Sequence, residues 1–384
     1  MTQFGDLFVS IRNGKNVRQG DALGGLPITR IETISSGSID VARVGYAGLD
    51  DSTENWLLRP ADILFSHINS PKYVGRVAMY EGHPQQLIHG MNLLCLRPDQ
   101  SVVDPRYALH MIRSQGFRSL ISPFINKAVN QASISITNLR SIEVTIPPLP
   151  EQRRIAAILD HADALRAKRR QVLSHLDTLT NSIFHDMFGD AAWASTLGEL
   201  ADVQIGPFGS LLHKDDYVSG GVPVLNPMHI RGGQIRPDYE FAVTEEKAAS
   251  LPQYRIRAGD ILLGRRGEMG RAGVAMPAHD GMLCGTGSLI LRPRRGDSSY
   301  LHAVATSPRM KSHLERNSLG ATLPNLNTGI VKSSPAPAAA IERQREFAGR
   351  IAQVHSERAS VLASQAAGDE LFTSLQSRAF RGGL

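Results

Sequence analysis

The chain has little of what marks several protein classes. Cysteine occurs only as Cys95 and Cys284, and neither has a histidine or a second cysteine at metal-ligand spacing. We therefore expect two buried, reduced thiols and neither a disulfide nor a metal site. No apolar run approaches the length of a membrane span, and residues 1–14 lack the basic and apolar segments of a signal peptide. With 42% hydrophobic and 20% charged residues, the sequence predicts a globular cytoplasmic protein.

The signatures of common enzymes are missing as well. Gly14-Lys15 lacks the earlier glycine and the hydroxyl residue of a phosphate-binding loop, and no HExxH pattern occurs. Residues 226–229 read NPMH, which departs from the Asn-Pro-Pro-aromatic motif of an amino-methyltransferase. Residues 245–247 read EEK and imitate a nuclease triplet, but the residues that follow favour a continuing helix. We therefore expect no catalytic residues, no metal and no cofactor in this chain.

The chain repeats itself. A length of 384 residues already favours two domains, and short segments recur in one order along it. The matching pairs are FGDL at 4–7 with LGEL at 197–200, RPADILF at 59–65 with RAGDILL at 257–263, VGRVAM at 74–79 with MGRAGVAM at 269–276, LCLRP at 94–98 with LILRP at 289–293, and Leu179, Ser182 and Phe188 with Leu371, Ser374 and Phe380. The repetition predicts two copies of one unit.

Each copy is predicted to hold a domain of short strands, followed by a long helix. The strand candidates are short apolar runs between turn residues, and each copy also has one helical stretch. Proline-rich hinges at 146–150 and 333–337 introduce the long helices, and Gly189 is expected to end the first one. The strand candidates lie at 39–44, 77–80, 93–96, 222–225 and 289–291, and the helical stretches at 107–121 and 300–315. The predicted segments are a first domain at 1–147, a central helix at 148–190, a second domain at 191–336 and a distal helix at 337–384.

The two long helices carry a heptad pattern. Apolar residues alternate at spacings of three and four, with an interruption at Arg169 in the first helix and poorer matches at Arg350, Glu357 and Gly368 in the second. The pattern favours pairing of the two helices; packing of each helix on its own domain is the alternative. The predicted seam is Ile155, Ile158, Ala162, Leu165, Val172, Leu176, Leu179, Ile183 and Met187 in the first helix, and Phe347, Val354, Val361, Leu371, Leu375 and Ala379 in the second.

Loops rich in cations and glycine are the candidate nucleic-acid contacts, and the net charge of +6 permits such a partner. Arg265, Arg266 and Arg271 lie among three glycines, and an arginine fork suits a phosphate or a guanine edge. The first copy instead carries His67, Asn69 and Lys72 there, as expected if the two domains read different bases. A solvated surface role is the alternative for any one residue. The other candidates are Arg12, Lys15, Lys127, Asn130 and Gln131 in the first copy, and Ser210, His213, Lys214, Asn317, Thr322 and Asn325 in the second.

Several segments resemble a known family. Residues 146–160 (IPPLPEQRRIAAILD) and 182–190 (SIFHDMFGD) resemble the central region of type I restriction-modification specificity subunits, and 371–383 (LFTSLQSRAFRGG) resembles their ending. Residues 206–210 (GPFGS) and 321–328 (ATLPNLNT) resemble parts of the family's target recognition domains. The resemblance covers nearly the whole chain. It implies an α+β fold with two tandem target recognition domains of mixed α/β structure and short strands, each followed by a long helix, the helices pairing as an antiparallel coiled coil with pseudo-twofold symmetry.

The resemblance also implies a function. The chain would be a non-catalytic subunit whose two domains read the two halves of a bipartite double-stranded DNA target, while the helix pair sets the spacer. Its partners would be two methyltransferase subunits and, in a complete system, restriction subunits; S-adenosylmethionine and ATP with Mg²⁺ would bind to those partners. The whole complex would then methylate adenine N6 and cleave DNA. The alternatives are a coiled-coil scaffold, or the specificity subunit of a methylation-only or other defence system. The expected docking residues, on helix faces turned away from the seam, are Arg153, Arg154, Arg166, Lys168 and Arg170.

Overall fold

The computed structural model describes residues 1–19, 25–48, 53–129, 131–294, 296–320 and 325–381. The chain divides into two compact units: unit 1 comprises Met1–Arg170 and Ala363–Leu384, and unit 2 comprises Gln171–Leu362. Each unit thus takes in half of each long helix. Within the described ranges, no helix is long and apolar enough to cross a membrane.

Unit 1 contains short strands, three short helices and parts of both long helices. The long helices are α4 (Leu149–Phe188) and α10 (Ile341–Ala379), and each belongs partly to unit 2. The short helices are α1 (Pro105–Arg113), α2 (Gln115–Ile121) and α3 (Ile136–Arg140). The strands are β1 (Thr2–Gln3), β2 (Phe8–Asn13), β3 (Leu26–Ile28), β4 (Gly45–Ala47), β5 (Ile63–Phe65), β6 (Ile68–Asn69), β7 (Val77–Met79), β8 (Leu94–Pro98), β9 (Asn126–Ala128), β10 (Gln131–Ser133) and β11 (Glu143–Val144).

Unit 2 repeats this plan with additional strands. Its short helices are α5 (Leu197–Leu200), α6 (Glu245–Ala249), α7 (Ser298–Thr306), α8 (Pro308–Asn317) and α9 (Thr328–Ser333). Its strands are β12 (Ser195–Thr196), β13 (Ala201–Ile205), β14 (Tyr217–Val218), β15 (Val222–Leu225), β16 (Ile230–Arg231), β17 (Gln234–Ile235), β18 (Ala242–Val243), β19 (Ile261–Gly264), β20 (Ala272–Val274), β21 (Leu283–Cys284), β22 (Ser288–Pro293) and β23 (Pro335–Ala336).

A four-stranded antiparallel sheet of the same order lies at the centre of each unit. The order is β2-β8-β5-β7 in unit 1 and β13-β22-β19-β20 in unit 2. Of the predicted strands, four coincide with observed ones within two residues. The run at 39–44 does not, because Val41–Arg43 forms a 3-10 turn and the strand begins at Gly45.

A buried ion pair explains two of the repeated sequence segments. In unit 1, Asp62 is 1% exposed and accepts hydrogen bonds from Arg97 Nε at 2.8 Å and Nη2 at 2.7 Å. In unit 2, Asp260 is 2% exposed and accepts the same two bonds from Arg292, at 2.9 and 2.7 Å. Bidentate geometry compensates the cost of burying a carboxylate. The aspartate of each ADIL or GDIL segment is therefore bound to the arginine of the LRP segment.

The predicted helical stretches are each two helices joined at a serine. Ser114 accepts a hydrogen bond from Phe117 N at 3.1 Å and caps α2, and Ser307 accepts one from Met310 N at 3.2 Å and caps α8. A serine side chain satisfies a free amide at a helix start, so it begins a new helix inside an otherwise helical sequence. The same break occurs in both units.

The hinges before the long helices are built alike. Gln152 in α4 donates to Pro147 O at 2.8 Å and accepts from Asp104 N at 2.8 Å. Gln344 in α10 donates to Ala339 O at 2.9 Å and accepts from Asp297 N at 3.1 Å. Both glutamines are almost fully buried, and each ties the start of a long helix to the start of α1 or α7.

The two long helices contact each other within each unit. In unit 1, Arg166 Nε donates to Asp369 Oδ1 at 2.6 Å. In unit 2, Arg358 Nε donates to Asp177 Oδ1 at 2.7 Å, and Arg343 Nη2 donates to Met187 O at 3.3 Å. Residues later in α4 contact residues earlier in α10. The helices therefore run antiparallel, and the predicted pairing is confirmed. Their ends also pack on the units' cores, through Ile155 and Leu159 in unit 1 and Phe347 and Ile351 in unit 2.

The seam differs from the prediction in several places. Three predicted seam residues are exposed, with Leu165 at 42% and Val172 and Leu179 at 38%. Leu371 is 58% exposed and does not belong to the seam; its neighbour Phe372 packs there instead. Gly368 and Arg169, which both interrupt the heptads, are partners: a Cβ on Gly368 would lie 2.3 Å from Arg169 Nη1. The missing side chain in α10 makes room for the large polar one in α4, so the two irregularities compensate each other.

Candidate nucleic-acid interface

In unit 2, three loops leave the same end of the central sheet. Ile205 pairs with Leu289, and Gly264 pairs with Ser288, so the chain leaves β13 and β19 where it enters β22. Gly206 N donates to Ser288 O at 3.0 Å, which closes this end of the sheet. A Cβ on Gly206 would lie 2.0 Å from Gly285 O, so only glycine permits this approach.

The predicted arginines of unit 2 differ in exposure. Arg265 is 6% exposed, and its Nε donates to Asn325 Oδ1 at 3.0 Å. Burial lowers the pKa of Arg265, and the neighbouring Arg266 adds to this effect. Arg266 is exposed, and its backbone pairs with Asn325. Arg265 thus fixes the amide of Asn325, while Arg266 presents a guanidinium to solvent beside it.

The remaining candidates of unit 2 lie in and around these loops. Arg271 donates to Glu268 Oε2 at 2.6 Å and to Pro227 O at 3.3 Å, so its charge is paired. Asn317 ends α8, where its amide donates to His313 O at 2.8 Å. Thr322 lies outside the described residues. The loop after β13 carries Ser210, His213 and Lys214, and all three are exposed.

The candidate nucleic-acid contacts of unit 1 lie at the equivalent end of its central sheet. Asn13 and Phe65 both pair with Leu94, so the loops after β2 and β5 emerge together. The Arg12 guanidinium lies 5.0 Å from the centre of the Trp56 ring, and Lys15 Nζ donates to Thr53 Oγ1 at 3.5 Å.

His67 and Asn69 follow β5 at this end of the sheet. His67 is buried, which lowers its pKa, and its Nδ1 has no hydrogen-bond partner among the described atoms. Asn69 donates to Ser66 Oγ at 3.1 Å and accepts from Ser70 N at 2.8 Å. Lys72 is exposed, with its Nζ 5.6 Å from the ring centre of Tyr73.

A hairpin completes the surface of unit 1. Its strands, β9 and β10, pair with each other, and β10 pairs with β6 through Ala132 and Asn69. Lys127 and Gln131 are exposed on this hairpin, and Asn130 lies outside the described residues. In unit 2, the backbone pairing of Arg266 with Asn325 occupies the corresponding place. The structure therefore brings the candidates after β5 and those of the hairpin together.

Sequence reasoning missed two features of these surfaces. Phe208 is 65% exposed in the loop after β13, and the guanidinium of Arg12 lies over the ring of Trp56. A search for aromatic residues between glycines or next to basic strands could have found both, since aromatic faces stack on bases.

The predicted docking residues do not all lie on one helix face. Arg153, Arg154, Lys168 and Arg170 are exposed on α4, and Arg154 pairs with Glu151 at 2.7 Å. Arg166 was placed wrongly: it lies in the seam, bound to Asp163 and Asp369, with its guanidinium 4.4 Å from the ring centre of Phe372.

Cys95 and Cys284 are buried and free, as predicted, and burial raises the pKa of both thiols. Across the described ranges, no group of three or more His, Cys, Asp or Glu side chains is placed to hold a metal ion. Residues 245–249 form a helix, in which Glu245 pairs with Arg255 and Lys247 with Asp216. Two residues of the apparent nuclease triplet are thus engaged in separate ion pairs.

Comparison with known proteins finds sequence similarity to one family. A profile described as "Type I restriction modification DNA specificity domain" matches residues 3–175. The MjaX type I restriction enzyme specificity subunit of Methanocaldococcus jannaschii is 43% identical over 162 residues, which are 42% of this chain and 38% of that protein. The EcoKI specificity subunit of Escherichia coli K12 is 25% identical over 207 residues, 52% of this chain and 44% of that protein. The matched part spans less than half the length of each relative.

Solved structures share the fold over the whole chain. A chain from a structure on complex assembly and conformational transition of the type I R-M system has a TM-score of 0.64 at 16% identity, covering 100% of this chain and 97% of that one. The S subunit of a type I restriction-modification system from M. genitalium has a TM-score of 0.58 at 15% identity, covering 98% and 95%. The expected fold class, tandem mixed α/β domains with long helices, is confirmed. The chain is thus similar to type I restriction-modification specificity subunits in the sequence of residues 3–175 and shares the fold of solved S subunits.

Proposed function

We propose that this chain is the non-catalytic DNA-reading subunit of a type I restriction-modification complex, and that each recognition domain reads one half of a bipartite target. One observation carries the proposal: both units hold the same sheet, with different polar and basic loops leaving the same end. A constant scaffold with variable loops is what two different base sequences require. In a major groove, such loops would contact base edges, while other residues hold phosphates.

The long helices would set the length of the spacer between the two half-sites of the DNA target. At 1.5 Å per residue, the 40 residues of α4 span roughly 60 Å. Each recognition domain is tied to a long helix through its buried glutamine, Gln152 or Gln344. The helix pair would therefore set the distance between the two base-reading surfaces. The domain bounds at 147, 190 and 336 remain a prediction of this proposal.

The partners are the methyltransferase subunits and, in a complete system, the restriction subunits, which would hold S-adenosylmethionine, ATP and Mg²⁺. Exposed cations on α4, namely Arg153, Lys168 and Arg170, support docking on the helices. Half-exposed apolar residues lie on the same helix, with Leu165 in unit 1 and Val172 and Leu179 in unit 2. Such side chains would lose their remaining water contact when a partner binds. A methylation-only complex would use the same surfaces.

A heptad insertion tests the spacer. Seven residues added after Arg170 in α4 and after Leu362 in α10 preserve the seam and lengthen the pair by roughly 10 Å, about three base pairs of DNA. We expect methylome sequencing of a host that expresses the variant with its methyltransferase to show unchanged half-sites and a spacer longer by up to about three base pairs. The control is the same insertion after Gly232, in an exposed turn of unit 2, and it should leave the spacer unchanged.

An unchanged spacer in the helix variant would refute the role of the helices in setting it. A wild-type chain that binds no duplex with or without its methyltransferase would refute the DNA-reading function and favour a scaffold.

A further inference from the structure

A cavity of about 340 Å³ in unit 1 is lined by positive charge. It lies between the start of β7 and the junction of α1 with α2. Three arginines line it, together with three serines, and none of the described residues that line it is acidic. The lining residues on which the inference depends are Arg76, Arg113, Arg118, Ser35, Ser36 and Ser114.

Each guanidinium is held in place by backbone carbonyls. Arg76 donates to Ser35 O and Arg113 to Gly37 O, and Arg118 donates to Val74 O at 2.6 Å and Pro71 O at 3.0 Å. A guanidinium has five N–H donors, so these bonds leave donors for a ligand. The positioned charges would bind an anion without a large loss of side-chain entropy.

The acids nearby also pair with other arginines. Arg113 Nη1 is 3.9 Å from Asp163, whose other oxygen accepts from Arg166 Nη1 at 3.0 Å. Glu32 lines a neighbouring cavity and lies 3.9 Å from Arg30. Within the described ranges, the structure records no ion pair for Arg76 or Arg118.

Unit 2 has a related cluster of charged residues at the equivalent place. The repeated GR segment places Arg271 where unit 1 has Arg76, and Lys311 packs on Gly270 as Arg118 packs on Gly75. Glu268 occupies the position of Tyr73 and lies 2.6 Å from Arg271 and 4.0 Å from Lys311. The acid of unit 2 pairs with its cations and lowers their net charge by one. In unit 1 the Tyr73 ring centre lies 4.2 Å from Arg76 Cζ, and because this ring carries no negative charge, it does not offset the positive charge of Arg76.

The cavity borders the candidate interface of unit 1. Gly75 N donates to Ser66 O at 2.9 Å, and Ser66 N donates to Arg76 O at 2.8 Å. Ser66 begins the loop that carries His67 and Asn69. We propose that this pocket binds a phosphate group of the DNA backbone beside the bases that unit 1 reads. The inference rests on the proposed DNA-reading function and assigns to it a phosphate contact that unit 2 lacks at the equivalent place.

The test exchanges the tyrosine of unit 1 for the acid of unit 2. Tyr73→Glu should place a carboxylate beside Arg76 and lower the positive charge of the pocket by one, and Tyr73→Gln is a control with a side chain of the size of glutamate but without charge. The full chain, assembled with its methyltransferase, is titrated into labelled duplexes at several salt concentrations. We expect Tyr73→Glu to bind about tenfold more weakly at 0.1 M salt, with a salt slope less negative by about 0.9. The loss should be equal for target and non-target duplexes, because a phosphate contact reads no sequence.

Inorganic phosphate distinguishes the source of the anion. At constant ionic strength, phosphate should raise the Tm of the wild type and of Tyr73→Gln, but not of Tyr73→Glu. Phosphate binding with an unchanged duplex slope would mean a free anion and would overturn the DNA assignment. Equal duplex binding and equal phosphate response by both variants would overturn the pocket while leaving DNA reading intact. A wild type that binds no duplex would overturn both proposals.

Discussion

Unit 1 and unit 2 have nearly the same scaffold, but their loops differ. The central sheets have one strand order, and the ion pairs Asp62–Arg97 and Asp260–Arg292 have the same geometry. At the ends of these sheets, the loop after β5 of unit 1 carries His67 and Asn69, whereas the loop after β19 of unit 2 carries Arg265 and Arg266. The difference shows which residues packing constrains. A buried side chain must match its neighbours, whereas a loop residue in solvent can change without cost to the fold.

The largest expected effect comes from breaking the shared ion pair. Arg97→Leu in unit 1 and Arg292→Leu in unit 2 should each lower the free energy of unfolding by about 3 kcal/mol, because each leaves a buried carboxylate without its arginine. Urea unfolding followed by circular dichroism measures both losses. Arg294→Leu is the control, since its pair with Asp202 is exposed and screened by solvent, and it should cost clearly less stability than either loss. Clearly unequal losses in the two units would break the comparison.

An intermediate effect should follow from removing the acid that pairs with Arg271 and Lys311 in unit 2. The hydrogen bond from Arg271 lowers the pKa of Glu268, so this carboxylate is charged at neutral pH and neutralises the cations around it. Glu268→Gln should make duplex binding tighter and the salt slope more negative by up to about 0.9. Glu245→Gln removes an exposed acid elsewhere in unit 2 and serves as the control. If both variants steepen the slope equally, general charge explains the effect and the site-specific comparison fails.

The smallest effect concerns the long helices. Gly368 in α10 occupies the position of Leu176 in α4, and Gly368→Ala should raise the free energy of unfolding by about 0.5 kcal/mol. Alanine favours the helix, but its Cβ must displace the end of the Arg169 side chain. Gly349→Ala, at a helical position with open space, should gain about 1 kcal/mol, and the difference measures the cost of moving Arg169. A net loss in Gly368→Ala would show that this packing matters more than helix propensity.

Local patterns predicted much of the fold. The strand at Val222–Leu225 and the start of α4 at Leu149 follow from apolar runs and from the proline hinge, which act within a few residues. The repeats predicted the two units, and the heptads predicted that the helices pair. Ser114 and Ser307, which divide the helical stretches, could also have been identified, because a serine before a new turn is a local capping signal.

The candidate site could be predicted only as a set of loops. Their positions along the chain follow from the repeats, but the sequence does not distinguish the buried Arg265 from the exposed Arg266. That difference arises because Asn325, sixty residues away, accepts the hydrogen bond of one guanidinium. Arg76 and Arg118 were missed for the same reason, since the cavity that they line is formed by segments distant in the chain.

Duplication, helix pairing and the absence of known catalytic motifs can be derived from the order of residues alone, since each depends on periodicity or on short motifs. Other features could be seen only in the folded chain. They are the seam position of Arg166, the fit of Arg169 over Gly368, and the cations that pair with Glu268 in unit 2 but have no such acid in unit 1. These features depend on distances between residues far apart in sequence. Such distances are set by how side chains pack, and packing is a property of the whole unit rather than of any segment.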